Sequence, residues 1–325
     1  MCPDIISLGE LLVEIMRDEI DVPHKRVGEI YKGPYPSGAP AIFIDSAARL
    51  GKKFQMTTGF IGVVGNDEFG KCIIEKLRKD EVDTSQIRII DDMNTGIAFN
   101  QYNSDGSRKF IFAIGAAGET SVNDVKKPYF EDVKCVHITG SALSISSKSR
   151  DACYKAVAVA QESNPDVLIS FDPNIRPEML NIKEIIALCK PILEVTDILL
   201  PSGLEAETLA GIKGSKNSCQ KLLRMGPKII VLKQGKEGSI IFTKDKLDGV
   251  KIESFNVKEK DPTGAGDSFG GAFIVGYLNG WDLEKSVRFA NATGALKVQT
   301  FGPMPETSYE DINDLINESN IKDIG

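Results

Sequence analysis

Histidine is almost missing from this 325-residue chain, which has only His24 and His137. With so few imidazoles, the spacing for a zinc site or a Cys/His nucleophile is absent. The six cysteines, at 2, 72, 135, 153, 189 and 219, never form a C-x-x-C pair. They read as reduced, mostly structural thiols. Basic charge is in deficit, with 39 Lys and Arg against 46 Asp and Glu for a net charge of −7. That excludes a positive field able to attract nucleic acid or an anionic membrane. No segment approaches the roughly 18 apolar residues that span a bilayer, and the opening Met-Cys-Pro-Asp lacks the basic flank of a signal peptide. Low-complexity tracts, Ser/Gly linkers and internal repeats are also missing, so one domain over 1–325 and a cytoplasmic location are expected. Catalysis in such a chain must rest on carboxylates, cations and backbone amides.

What is present is concentrated at 261–270, Asp-Pro-Thr-Gly-Ala-Gly-Asp-Ser-Phe-Gly, which leads into an apolar run from Ala272 to Leu278. Gly264 and Gly266 let backbone N–H groups come close to a ligand, and the first unpaired amides of the following helix add partial positive charge. Such a cup suits a phosphate. Asp267 at its rim would repel that anion unless it has a task, and accepting a proton is the obvious one. The same residues also suit a type I turn followed by an acid in a first helical turn. The rest of the chain must decide.

From about residue 133, β-rich runs alternate with helical patterns. Strands are expected at Val133–Ile138, Val167–Phe171, Ile198–Leu200 and Lys228–Leu232. Helices are expected at Lys148–Glu162, Ile182–Val195, Leu204–Ala210 and Ser218–Met225. This alternation implies a three-layer α/β/α fold around a mainly parallel sheet, whose ligands bind beyond the carboxyl ends of the strands. The first hundred residues differ. Asp4–Leu8 reads as a core strand, but Leu11–Met16, Glu29–Lys32, Ile97–Asn103 and Lys109–Ile114 read as strands joined by turns, the last pair through Asn103-Ser104-Asp105-Gly106. Insertions at about 11–35 and 95–115 therefore suggest a small β-sheet lid, which would exclude water from a phosphoryl transfer.

Gly65-Asn66-Asp67-Glu68-Phe69-Gly70-Lys71-Cys72 nearly fits a Walker A loop. It fails because two acids would face the phosphates and cysteine replaces the Ser or Thr that binds magnesium. No G-x-G-x-x-G follows a strand, so a dinucleotide-binding dehydrogenase has no anchor. Three strand-end segments remain. Asp172-Pro173-Asn174-Ile175-Arg176 sets an acid, an amide and a guanidinium where they can hold a sugar hydroxyl or a phosphate, or simply make a turn. Ser202-Gly203-Leu204-Glu205 reads equally as a capping box. Lys233-Gln234-Gly235-Lys236-Glu237-Gly238 reads equally as a hairpin turn.

Taken in order, these segments resemble the ribokinase/PfkB carbohydrate kinase family over nearly the whole chain. D-x-T-G-A-G-D-S-F is similar to that family's C-terminal signature. Gly9-Glu10, Ser37-Gly38-Ala39-Pro40, the Gly62–Gly70 string, Asp172-x-Asn174-x-Arg176, Ser202-x-x-Glu205 and Gly235-x-x-Gly238 precede it in family order. The resemblance implies an ATP-dependent sugar kinase using Mg2+, in which Asp267 deprotonates the acceptor hydroxyl and amides of Gly264, Ala265 and Gly266 stabilise the transferring phosphoryl group. It further implies that Arg176 assists at the phosphoryl group and that Asn174, Ser202, Lys233, Gly235, Gly238 and Asn291 line the ATP site. By the same resemblance Glu10, Gly38, Ala39, Gln101 and Asp267 would contact the sugar, and Glu205 would organise magnesium through water. Asp261, Thr263, Val298 and Gly302 would form a monovalent-cation site for K+. A helix N-terminus is expected to depress the Asp267 pKa, which a loose phosphoryl transfer tolerates.

Ser202 stands where the family usually has Asn, Ser37 where it has the first Gly of a pair, and Ile42 where many members place a substrate-binding Asn. In the lid, Phe112-Ala113-Ile114 lacks the Tyr and Arg that 2-keto-3-deoxygluconate kinases use for a carboxylate. Together with similarity to tagatose/fructose-type kinases at Gly9–Met16 and Ser37–Asp45, this points to a neutral ketohexose. The alternatives are a 2-keto-3-deoxygluconate or other sugar-acid kinase, a nucleoside kinase with Phe99, Tyr102, Phe110 or Phe112 as base platform, and a non-catalytic sugar-binding regulator. Lid strands pairing across a two-fold axis would give a homodimer.

Overall fold

Strand β1 (Ile5–Glu10) is buried along its whole length, Ser7 and Glu10 included, as befits a strand in a sheet covered on both faces. A computed structural model of the chain describes residues 2–105 and 107–322. In it β1 pairs in parallel with β4 (Thr58–Gly65) on one side and β8 (Cys135–Thr139) on the other. Beyond β4 lies β5 (Val82–Ile90). Beyond β8 come β9 (Leu168–Asp172), β10 (Ile198–Leu199), β11 (Ile229–Lys233), β12 (Ser239–Thr243) and β13 (Lys246–Ile252). The resulting nine-stranded sheet is parallel except for its last two pairings, β11–β12 and β12–β13.

Alternate side chains of these strands feed two apolar layers. Ile5, Cys135 and Val231 point to the layer covered by α1 (Ala39–Gly51), α2 (Glu68–Lys79), α8 (Ala265–Leu278), α9 (Leu283–Val298) and α10 (Tyr309–Lys322). Ile6, Val136 and Ile230 point to the opposite layer. That layer is covered by α3 (Gly140–Ile145), α4 (Ser147–Ser163), α5 (Ile182–Val195), α6 (Gly203–Ala210) and α7 (Ser215–Leu222). The three-layer expectation therefore holds, and helix α5 has the bounds read from sequence. The helix expected at Ser218–Met225 begins three residues earlier, at Ser215, because Gly214 turns the chain into it.

A second sheet has the order β3-β2-β6-β7, from β2 (Leu12–Arg17), β3 (Tyr31–Ser37), β6 (Gly96–Tyr102) and β7 (Arg108–Ala113). Its β2–β6 pair is parallel and its other two are antiparallel. The strand expected at Glu29–Lys32 runs instead over Tyr31–Ser37, carrying Ser37 to the start of α1. Of the turn expected to join β6 and β7, Gly106 lies outside the described residues. Both histidines are structural: His137 is buried, stacks on Phe43 and shares a hydrogen bond with Ser170 Oγ at 3.0 Å, while His24 Nδ1 and Nε2 meet Tyr31 OH and the Lys109 carbonyl. No helix among the described residues is long and apolar enough to cross a membrane.

Candidate active site

Strand ends set the site. Glu10 closes β1, Asp172 closes β9, Ser202 follows β10 and Lys233 closes β11, all at the carboxyl edge of the parallel strands. The N-terminus of α8 meets them there. A cleft of about 990 Å³ runs along this edge, with Asp172, Arg176, Glu205, Lys233, Gly266 and Asp267 in its walls.

Gly264 is the residue before α8 and has φ +76°, a left-handed conformation that an L side chain resists. A Cβ there would also lie 2.8 Å from the Pro303 carbonyl and 3.1 Å from Ile42 Cγ2. Ile42, on α1, is thus a buried prop under the loop rather than a polar contact to substrate. A Cβ on Gly266 would stand 3.3 Å from Lys233 Nζ, so the missing side chain leaves the ammonium open to the cup. The Gly266 amide is among those that helix geometry leaves without an intrahelical partner. The Ala265 amide differs from expectation, since it already donates to the Pro262 carbonyl at 3.3 Å.

Asp267 sits in the first turn of α8 with its carboxylate buried, accepting from Asn174 Nδ2 at 3.2 Å. The expectation of a depressed pKa is overturned. Burial, the largest influence, pushes it up to about 6 against the opposing Lys233 and Arg176 charges, with Glu10 and Glu205 pushing the same way. Loss of water and two neighbouring carboxylates outweigh the helix terminus. Asp172 is likewise pushed up to about 7, chiefly by burial, although Lys233 pairs with it. Asn174 has φ +35° and its buried Oδ1 lacks a protein partner, leaving an acceptor beside Asp267 unfilled.

Glu205 does what the bland reading of its segment foresaw. Its carboxylate accepts from Ser202 N at 2.7 Å and Ile175 N at 2.9 Å, and a capping box with Ser202 starts α6. These bonds clamp the two strand-end loops together while leaving lone pairs for a water. Gly235 and Gly238 sit in the turn of an antiparallel hairpin, also as foreseen. Asn291 lines the cleft, but its Nδ2 donates to the Ile252 and Glu253 carbonyls and its Oδ1 accepts from Ser239 Oγ. It shapes the wall instead of offering a free amide.

On the other side of Asp267, Glu10 is buried, accepts from Ser141 Oγ at 2.6 Å and is pushed up to about 7 by burial. Its Oε2 has no protein partner. Gly38 caps α1 with φ +113°, where a Cβ would lie 2.3 Å from the Glu10 carbonyl, so Ala39 and the start of α1 come right against the end of β1. Gln101 is not brought to this wall. Its Oε1 accepts from His24 N and its Nε2 donates to Asn103 Oδ1, both within the small sheet and its loops.

Two cations that sequence reasoning missed complete the picture. Arg108, at the start of β7, lines the cleft together with Arg176. Its direct cross-strand partner is Tyr102, whose hydroxyl reaches Asp261 and Thr263, and that pairing was the signal available in the sequence. Tyr102 is accordingly no free base platform, while Phe110 and Phe112 stack on each other. Lys297 is the second cation and lies fully buried against Asp261.

Backbone amides, an ammonium and a guanidinium gathered round a raised-pKa carboxylate can stabilise a migrating anionic group while taking a proton, which is the chemistry of phosphoryl transfer to a hydroxyl. The pattern of the pfkB family carbohydrate kinases matches residues 3–308, and the chain belongs to that family, whose members are phosphotransferases with an alcohol acceptor. It is 31% identical to a 5-dehydro-2-deoxygluconokinase of Clostridium botulinum over 97% of this chain and 93% of the relative. It is also 31% identical to a protein named fructokinase-2 in Arabidopsis thaliana, over 93% and 92% of the two chains. Among solved structures, an E. coli protein called Ribokinase II, in complex with ATP and Mg2+, superposes with a TM-score of 0.88 at 39% identity, covering 97% of this chain and 99% of that one. The fold is thus ribokinase-like.

Proposed function

We propose that the protein transfers the γ-phosphoryl group of ATP to a hydroxyl of a sugar acid. Placement of Asp267 at the mouth of the Gly264–Gly266 cup carries the kinase half of this reading. Asp267 takes the hydroxyl proton as the new oxygen–phosphorus bond forms, the bond to the bridging oxygen breaks, and ADP leaves with its electron pair. Lys233 and Arg176 balance charge on the phosphates, and the cup amides face the transferring group. The donor set fits Mg2+–ATP: the unfilled Asn174 Oδ1, the open face of Lys233 over Gly266 and the Asp172 and Glu205 carboxylates converge on one cleft. No three His, Cys, Asp or Glu side chains among the described residues are placed to ligate a metal directly, so Mg2+ would be held by phosphate oxygens and by waters on Glu205. That metal would neutralise phosphate charge.

The sugar-acid half rests on Arg108. The neutral-ketohexose expectation drew on the C-terminal end of β7, Phe112-Ala113, where no guanidinium stands. Arg108 supplies one from the other end of the same strand and lines the cleft, a guanidinium suited to a carboxylate. The 5-dehydro-2-deoxygluconokinase relative points the same way. A neutral ketohexose is the second reading, favoured by Glu10, whose free Oε2 suits a sugar hydroxyl, and by the fructokinase-2 relative. ADP release measured with 5-dehydro-2-deoxygluconate, 2-keto-3-deoxygluconate, fructose, tagatose and a nucleoside separates them. The acid should give the highest kcat/KM, and Arg108→Ala should raise its KM at least tenfold while barely changing that of fructose. Fructose outperforming every acid would remove the sugar-acid half.

The small sheet acts in this reading as the lid. Ile20, Val27, Ile30 and Ile111 stand exposed on it and on the β2–β3 loop, an apolar surface that a second copy of the chain would cover.

A further inference from the structure

Asp261 begins the loop that carries the glycine cup, and it is completely buried. Its Oδ1 accepts from the Tyr102 hydroxyl and from Thr263 N at 2.9 Å, and its Oδ2 accepts from Gly302 N at 2.8 Å. The structure thus gathers the four residues expected round K+, but the Val298 carbonyl already receives Lys260 N at 2.7 Å and Asp261 N at 3.0 Å. Lys297 occupies the remaining space. This lysine has no exposed surface, and its ammonium donates to the Asp261 carbonyl at 2.8 Å and the Thr300 carbonyl at 3.3 Å while lying 3.5 Å from Asp261 Oδ2.

Two carbonyl oxygens and a carboxylate around one buried positive charge are the ligand types a monovalent cation would need, and here they serve a tethered ammonium. The residues present therefore do not fit K+ while Lys297 is in place. We infer that Lys297 is a built-in cation, a positioning residue that holds Asp261 and the start of the Gly264–Gly266 cup, and that the protein neither binds nor needs K+. The geometry gives the connection. Lys297 in the last turn of α9 grips the Asp261 main chain, Asp261 Oδ1 fixes the Thr263 amide, and Thr263 adjoins Gly264. Without its counter-charge a buried Asp261 would be unstable, and the loop would shift with it.

The consequence for turnover rests on the kinase reading, whereas cation binding does not. Melting temperature is therefore measured beside activity. For the wild-type protein, melting in 100 mM KCl and in tetramethylammonium chloride of equal ionic strength should coincide, and ADP release should not differ between the salts. Lys297→Ala should melt several degrees lower, be raised specifically by KCl or NH4Cl as ligand linkage requires, and lose kcat roughly 10²-fold, the scale of an ångström misplacement, with little change in KM for ATP. K+, NH4+ or ethylammonium should restore at least a tenth of that turnover. If Lys297→Ala does not fold, Lys297→Gln and the wild-type salt comparison carry the test. A K+-specific rise in wild-type melting temperature or turnover would overturn the inference. So would a folded variant with wild-type kcat, or one whose lost activity and stability no cation restores. Should the wild type phosphorylate none of the sugars tried, the melting comparison still decides the cation question by itself.

Discussion

Replacing Asp267 by Asn removes one proton-accepting oxygen and one buried charge while keeping shape and volume. Two readings of this residue predict opposite signs for stability. In the catalytic reading the carboxylate is an unfavourable guest: its folded-state pKa of about 6 lies above the ordinary 3.8, so the ionised form is penalised on folding. Above pH 6 that penalty is fully present, at 1.36 kcal/mol per pKa unit about 3 kcal/mol at pH 7, and it fades as pH falls from about 6 towards 4, to about half at pH 5. Asp267→Asn should therefore melt a few degrees above wild type at pH 7, by a smaller margin at pH 5. Its turnover should fall roughly 10²–10⁴-fold, about 2.7–5.4 kcal/mol of barrier, with ATP binding retained. If Asp267 were only an acid in a first helical turn, the same substitution would lose about 0.3–1 kcal/mol of dipole interaction and leave turnover untouched. Thermal melts at both pH values and a coupled ADP assay read both effects. Undiminished turnover, or a variant that melts below wild type, would refute the reasoning.

A proton acceptor with a pKa of about 6 predicts that kcat/KM declines below about pH 6, as a macroscopic limb shared with Glu10 and Asp172. Lys233→Met should move the limb to higher pH, because Lys233 is the largest influence holding the Asp267 pKa down; a flat profile to pH 5 contradicts this. Gly264→Ala puts a Cβ 2.8 Å from the Pro303 carbonyl at φ +76°, so the variant should lose about 1–3 kcal/mol of stability and most of its turnover. Calorimetry showing an unchanged melting temperature would show the loop to be pliable. In light scattering the protein should have twice the 35.4 kDa chain mass, and Ile111→Glu should halve it without changing ATP affinity measured by calorimetry. A monomeric wild type would remove the lid dimer.

What could be read from the sequence follows from what acts locally. The cup, the capping box at Ser202 and Glu205, and the hairpin at Gly235 to Gly238 are decided by residues within one turn of each other, and each was legible. The alternation of strands and helices was legible for the same reason. Asp267 lies in a first helical turn, as its segment implied, but its pKa was not legible, because a helix terminus is visible in sequence whereas burial among Glu10, Glu205 and Lys233 is a product of packing. Lys297 was invisible on the same ground. A lysine in the last turn of a helix ordinarily complements the dipole and faces water, and nothing near it in sequence says that α9 ends inside the protein, with Lys297 set against an aspartate 36 positions earlier. Arg108 lay between these extremes, since its hairpin partner Tyr102 was already a candidate for the site. Cross-strand pairing carries a site residue's neighbourhood to the facing strand, so an expected hairpin is better searched as pairs than as two runs.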